Sequence, residues 1–234
     1  MQIRVGSVGA RAVVAVTLAV LLGGCAGAAD GDGKGAFGAS PSAPGKGAEG
    51  AAASGGSVGA AGSECELPVR FDVARHWKAK SIAAEAEPAK TPKVSQGSDD
   101  DLRGALADAL LRQGPVTAAC EIDAKPAGLI GFLRVWTGKP GKADPGSVLR
   151  QFVAAEENVS KEKYHSVRTG GGVAGVEVEY LCTSELLDET KKETALAVGT
   201  PHGPVVLHLG GMDTEEHDAM RPAYELAKRT LVLG

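Results

Sequence analysis

Across residues 26–62 nearly two-thirds of the positions are glycine or alanine, and Phe37 and Val58 are the only sizeable apolar side chains. Such a stretch cannot bury enough surface to offset an ordering cost of about 1 to 2 kcal/mol per residue, so the composition predicts a disordered tether. As a coil spanning about 5 to 6 Å times the square root of its length, it would reach roughly 35 Å. The tether divides the 234-residue chain into a leader at 1–24, a first cysteine with the tether at 25–62, and a globular part at 63–234. The globular part has the length of one domain burying about 70% of its unfolded surface, with no room for a second.

The leader carries Arg4 and Arg11 and no acid, then an apolar run at 13–22, then Gly23, Gly24 and Cys25. A basic start, an apolar run of about ten residues and a small-residue end predict a cleaved signal peptide. That run is about half of what a membrane-crossing helix needs. Leu22-Gly23-Gly24-Cys25 resembles the lipobox of bacterial lipoproteins. The resemblance implies a diacylglyceryl thioether on Cys25, cleavage just before it, and anchoring on the extracytoplasmic face of the plasma membrane. Two acyl chains at about 0.8 kcal/mol per buried methylene give an upper bound on the order of 20 kcal/mol, enough for stable attachment. With 25 Lys+Arg against 29 Asp+Glu and no basic cluster, the chain offers no phosphate-neutralising stripe, which argues against nucleic acid as a partner.

Within the globular part, Leu67, Val69, Phe71 and Val73 alternate as in a half-buried strand, and 78–85 reads as its hairpin partner with Trp77 at the turn. Residues 85–97 read as a loop. Ser98 and three aspartates precede Leu102, Leu106 and Leu110, a capped amphipathic helix ending at Gly114-Pro115. In 116–123, Val116, Ala118, Cys120 and Ile122 share a face, while 128–137 is apolar on both faces, as in a covered central strand. Asp144-Pro145 opens a second helix. A glycine run at 170–172 leads into strands over 173–185, 193–200 and 204–209. Asp213 and Glu216 stand at capping-box spacing before a last helix with inward Met220, Tyr224, Ala227 and Leu231, in which Pro222 would kink or delay the start.

Strands joined by short turns are antiparallel, so the expected class is α+β, a single twisted, mainly antiparallel sheet with helices packed on it. The order of elements, with the strand leading to Trp77, a strong central strand, later hairpins and the terminal YELAKRTL helix, is similar to the PsbP-like fold shared with LpqN-type actinobacterial lipoproteins. That resemblance implies an α/β/α sandwich and an accessory or binding role.

With Cys25 lipidated, Cys65, Cys120 and Cys182 form an odd set in an oxidising compartment. Cys65, between Glu64 and Glu66, has no packing reason to be there, and we expect it to pair with Cys120, leaving Cys182 buried. Loop closure of about 55 residues is worth on the order of 4 kcal/mol but separates this pairing poorly from Cys65 with Cys182.

Chemical constellations are sparse. GxSxG is absent. His202, His208, Asp213, Glu215 and His217 could suggest a metal site, yet a strand histidine and an acidic helix start explain them better. Glu121 with Asp123 and Glu177 with Glu179 are expected on solvated strand faces. Gly170-Gly171-Gly172 precedes a strand and so lacks the helix terminus that binds phosphate. Trp77, Arg134 and Trp136 are the candidates for a ligand or partner surface, with core packing as the competing reading.

The expected function is therefore a monomeric, cofactor-free, lipid-anchored binding or accessory module meeting an envelope protein. A carrier of an apolar small molecule or lipid and an envelope hydrolase are the alternatives. An interior cavity would favour the carrier, a flat exposed aromatic patch the partner-binding module, and a histidine converging with serine or carboxylate in a cleft the hydrolase.

Overall fold

The computed structural model describes residues 51–82 and 111–234. Side-chain alternation builds one large antiparallel sheet in the order β3 (Lys78–Ser81), β5 (Val116–Asp123), β6 (Gly131–Gly138), β10 (Gly203–Gly211), β9 (Glu189–Thr200), β8 (Ala174–Ser184) and β7 (Val159–Arg168), with β4 (Arg112–Gln113) beside β5. Every residue of β10 is buried, as befits a central strand covered on both faces. Val205, Leu207 and Leu209 point to one face, and Val206 and His208 to the other.

The sheet is not alone, which corrects the single-sheet expectation. β1 (Ser54–Val58), β2 (Val69–Ala74) and the short β11 (Val232–Leu233) form a second, three-stranded antiparallel sheet. β2 therefore does not pair with β3 as a hairpin. The chain changes sheets at Arg75–Trp77, where His76 adopts a φ of 70°, and β3 pairs with β5. β1 also corrects the tether boundary at Gly62, because the described fold already begins at Ala51. Its own side chains offer little apolar area beyond the buried Val58, but it uses the backbone edge and apolar face of β2. Composition weighs a segment's own side chains and misses that borrowed surface.

Two helices flank the large sheet among the described residues. On one face, α2 (Thr214–Thr230) and the small sheet close a core of Phe71, Ile122, Leu196, Leu207, Leu209, Met220, Tyr224 and Leu231. Asp213 caps α2 by accepting from the Glu216 N–H at 2.8 Å, and Pro222 lies inside the helix without delaying its start. On the other face, α1 (Pro145–Val153) seats Val148, Leu149 and Phe152 against Trp136, Val178, Ala197 and Val206. Its cap is Asp144, accepting from the Ser147 N–H at 2.7 Å.

A bulge at Ala119 decides which face several residues reach. Ala118 opposes Trp136 and Cys120 opposes Val135, so one residue is inserted and the alternation flips. Val116 and Ala118 face α1, whereas Cys120 and Ile122 face the small sheet, so the four do not share the expected face. The flip brings Cys120 to Cys65, and the two form a disulfide with Cα atoms 5.9 Å apart. Cys182 is free and only half-buried, not sealed in the core. β7, a mostly exposed edge strand, has too little apolar alternation to stand out in sequence and is held by pairing with β8. The leader, Cys25 and most of the helix expected between Ser98 and Gly114-Pro115 lie outside the described residues, but its expected last turn is instead the short strand β4, paired with β5 because it completes that strand's edge.

Candidate functional site: an acidic groove beyond the end of the first helix

α1 has nine residues, about 13 Å at 1.5 Å per residue, and stops short of the end of the sheet. Beyond Val153, β8, β9 and β10 turn polar on the face that α1 leaves uncovered, where no apolar partner favours large aliphatic side chains. An open groove of about 770 Å³ lies there. Glu156, Glu157 and Asn158, which follow α1, line it together with Cys182 to Leu186 of the β8–β9 hairpin, while Phe132, Glu193 and His208 are at its inner end.

The inner groups form one connected network. His208 Nε2 lies 3.0 Å from Glu193 Oε2 and 3.3 Å from Tyr180 Oη. Tyr180 donates to Glu156 Oε1 at 2.8 Å, and the Gln113 amide donates to the same oxygen at 2.7 Å. Lys191 Nζ sits 2.8 Å from Glu193 Oε1 and donates to the Gly211 carbonyl at 2.9 Å. Burial pushes the Glu193 carboxyl up, but the His208 hydrogen bond and charge and the Lys191 ammonium outweigh it and hold it below its ordinary value. An ionised Glu193 only accepts, so His208 Nε2 carries the proton. Burial, then the charges of Glu156 and Glu193, raise the Tyr180 hydroxyl well above its ordinary value. The same three causes raise the Cys182 thiol.

This arrangement brings a histidine and a carboxylate together in a cleft, yet it points the histidine inward. Nε2 is taken by Glu193 and Tyr180, and Nδ1 is buried with no partner. Phe152 and Phe132 pack edge-on against the ring, with centroids 5.4 Å and 6.4 Å away. Cys182 is held toward the thiol, the opposite of an activated nucleophile, and its Sγ is 3.6 Å from the Glu157 carbonyl. Glu156, Glu157, Glu185 and Glu193 outnumber Lys191 along the groove, so its field is negative.

The sequence profile of a family described as uncharacterised lipoprotein matches residues 37–231. The chain belongs to that family. Among curated proteins none matches this lipoprotein in sequence. A solved structure similar to it is the solution structure of cyanobacterial PsbP (CyanoP) from Synechocystis sp. PCC 6803, at 10% identity and a TM-score of 0.43, covering 76% of this chain and 98% of that one. Among the described residues no helix is long and apolar enough to cross a membrane.

Of the surface expected from sequence, the structure assembles only part. Trp136 is buried against Phe152 on the α1 face, with ring centroids 5.4 Å apart, whereas Trp77 packs on the opposite core. Arg134 sits 4.1 Å above the Phe132 ring and pairs with Glu121, beside a hollow of about 270 Å³ that Trp136 also lines. The three therefore form no common patch, because β6 and the approach to β3 face different layers. His208 and His217 lie on opposite faces of the sheet, the latter 3.0 Å from Thr194 Oγ1, so the suspected histidine cluster is dispersed. Gly170 and Gly171 pass so close to the Arg229 and Leu231 backbone that a side chain would collide, and Gly172 takes a φ of 79°, so packing and backbone conformation together account for the glycine run.

Glu177 corrects the expectation of a solvated strand face. It is 1% exposed, with both oxygens 3.1 Å from Lys228 Nζ and one 3.1 Å from His165 Nε2. Glu179 pairs with Arg221 at 2.6 Å. The groove residues Glu156, Tyr180, Lys191 and Glu193 escaped the sequence reading. Glu193 opening an apolar strand, and His208 amid Val205, Val206, Leu207 and Leu209, were the signals that could have found the pair.

Proposed function

We propose that this lipoprotein is held at the extracytoplasmic face of the plasma membrane by a diacylglyceryl group on Cys25 and works there as a non-catalytic binding module. The observation that carries the binding role is the groove itself, which is open and lined by charge, and whose only histidine is paired inward. A nucleophile needs a base presented to it, and His208 presents none. An apolar carrier is less well supported, since Leu149, Phe152 and Val206 fill the contact between α1 and the sheet and the groove ends in a charged network.

Replacing Cys25 by Ala and fractionating cells tests the anchor. The variant is expected in the soluble extracytoplasmic fraction, and retention on the membrane would overturn the lipid assignment. His208→Gln tests the non-catalytic role. If a panel of ester and peptide substrates is turned over by the parent chain and not by this variant, the groove is an active site and the binding reading fails.

A further inference from the structure

We infer that the end of the β8–β9 hairpin and the groove beside it dock a basic protein segment that carries Leu-sized side chains between its Lys or Arg residues. The inference rests on the binding reading above and names the partner's chemistry.

The hairpin outruns its neighbour. Pairing of β9 with β10 ends at Thr194 opposite Leu209, whereas pairing with β8 continues to Glu189 opposite Ser184. β10 itself runs on to Gly211, level with Lys192, so about three residues of the hairpin project past it, roughly 10 Å at 3.3 Å per residue. At its tip, Leu186 and Leu187 are 94% and 70% exposed. Turns favour Gly, Asn, Asp, Pro and Ser for backbone reasons that leucine does not meet, so two solvated leucines there are not explained by the turn. Ile130 and Met212, also exposed, lie at the same end of the sheet, joined by the Met212 N–H donating to the Ile130 carbonyl at 3.1 Å. Four of the five exposed large hydrophobic residues among the described ones thus gather at one end. Collected apolar exposure of this kind marks interaction sites.

Charge selects the occupant. Glu157 and Glu185 line the groove and carry no ion pair among the described residues, Asp188 and Glu189 flank the leucines, and the groove's Lys191 is already paired with Glu193. A second copy meeting this end about a two-fold axis would set acid against acid, and an anionic lipid surface would repel it. A segment with alternating cations and apolar side chains satisfies both the leucines and the free carboxylates.

The test is fluorescence anisotropy of the full chain carrying Cys25→Ala with a labelled ten-residue peptide of alternating Lys and Leu, at low and at moderate salt. Controls replace every Lys by Glu, or every Leu by Ser. The Lys–Leu peptide is expected to bind at least tenfold more tightly than either control. Leu186→Ser/Leu187→Ser should weaken it at least tenfold, and Glu157→Gln/Glu185→Gln about fivefold with a flatter salt dependence. All these side chains are exposed, so unchanged circular dichroism and melting would show that the variants fold. Equal binding by the leucine variant, or no binding of the Lys–Leu peptide, overturns the inference. So does a leucine-dependent dimer in sedimentation, or leucine-dependent binding to vesicles of phosphatidylglycerol or phosphatidylcholine. Preferential binding of the Glu–Leu peptide would sink the inference while leaving the binding module intact, and turnover lost on His208→Gln would sink both.

Discussion

The two faces of the large sheet are made by the same strands, yet one is sealed and the other is left partly open. On the α2 face a seventeen-residue helix and a second sheet complete the cover, and a buried carboxylate there, Glu177, is met by Lys228 reaching in from the helix. On the α1 face a nine-residue helix stops early, and Glu193 is met by Lys191 two residues back on its own strand and by His208 across the sheet. In the sealed face the partner comes from the covering layer, so the ion pair ties two layers together. In the open face the partners of Glu193 both lie on the sheet, so that ion pair does not draw on the covering layer, which touches the network only through Glu156 and Phe152.

The largest effect that would sharpen this contrast is loss of the bond joining the small sheet to the large one. Cys65→Ser/Cys120→Ser, or reduction, should lower stability by about 4 kcal/mol for a closed loop of this size, read as a shift in urea midpoint. A change below about 1 kcal/mol would mean that packing alone holds the small sheet.

Next come the two lysines. Lys228→Met leaves the buried Glu177 with the half-exposed His165 as its remaining ion-pair partner, for an expected loss of about 3 kcal/mol. Lys191→Met removes one partner but leaves the buried Glu193 hydrogen-bonded by His208, for about 1 kcal/mol. Equal losses in denaturant titrations would abolish the distinction between sealed and open faces.

A smaller, pH-dependent difference should separate the faces again. Burial lowers the His217 pKa from its ordinary 6.5 in spite of Asp218, so the unfolded chain takes up its proton first. Stability should therefore fall as pH drops below about 6.5 toward the folded value, and His217→Gln should remove that slope. Glu193 is also lowered, from an ordinary 4.5, so its contribution is present above that value and is lost only as pH falls through its lower folded value. Melting curves at stepped pH would read both windows, and a His217→Gln variant with an unchanged slope would refute the first.

Leu186→Ser/Leu187→Ser should have the smallest effect on folding, within about 0.5 kcal/mol, because neither side chain is buried. A larger loss would make the tip part of the fold and not a surface for something else.

The sequence reading recovered the elements that announce themselves by period or cap. β5, α1, β10 and α2 follow from alternation over 116–123, from the apolar run at Val205 to Leu209, from the Asp144 and Asp213 caps, and from the Met220, Tyr224, Ala227 stripe. The Cys65–Cys120 pairing was also expected, although its cause, the bulge at Ala119, was not. A single inserted residue leaves no mark on hydrophobic alternation, yet it reverses every side chain after it. β1 and β7 were missed for a related reason, since each is held by backbone pairing and neither carries the apolar content of a strand that supports itself. The groove depended on where α1 ends relative to strands far away in sequence, a distance that local patterning does not encode.

The clip between Cys65 and Cys120 also has a mechanical side. Tension on the chain ahead of Ala51 enters the fold through β1, whose hydrogen bonds to β2 can be peeled one after another. Peeling must stop at Cys65, where a covalent bond passes the load into β5, inside the large sheet. The fold can therefore give up its first strand as slack while the core beyond the clip stays closed.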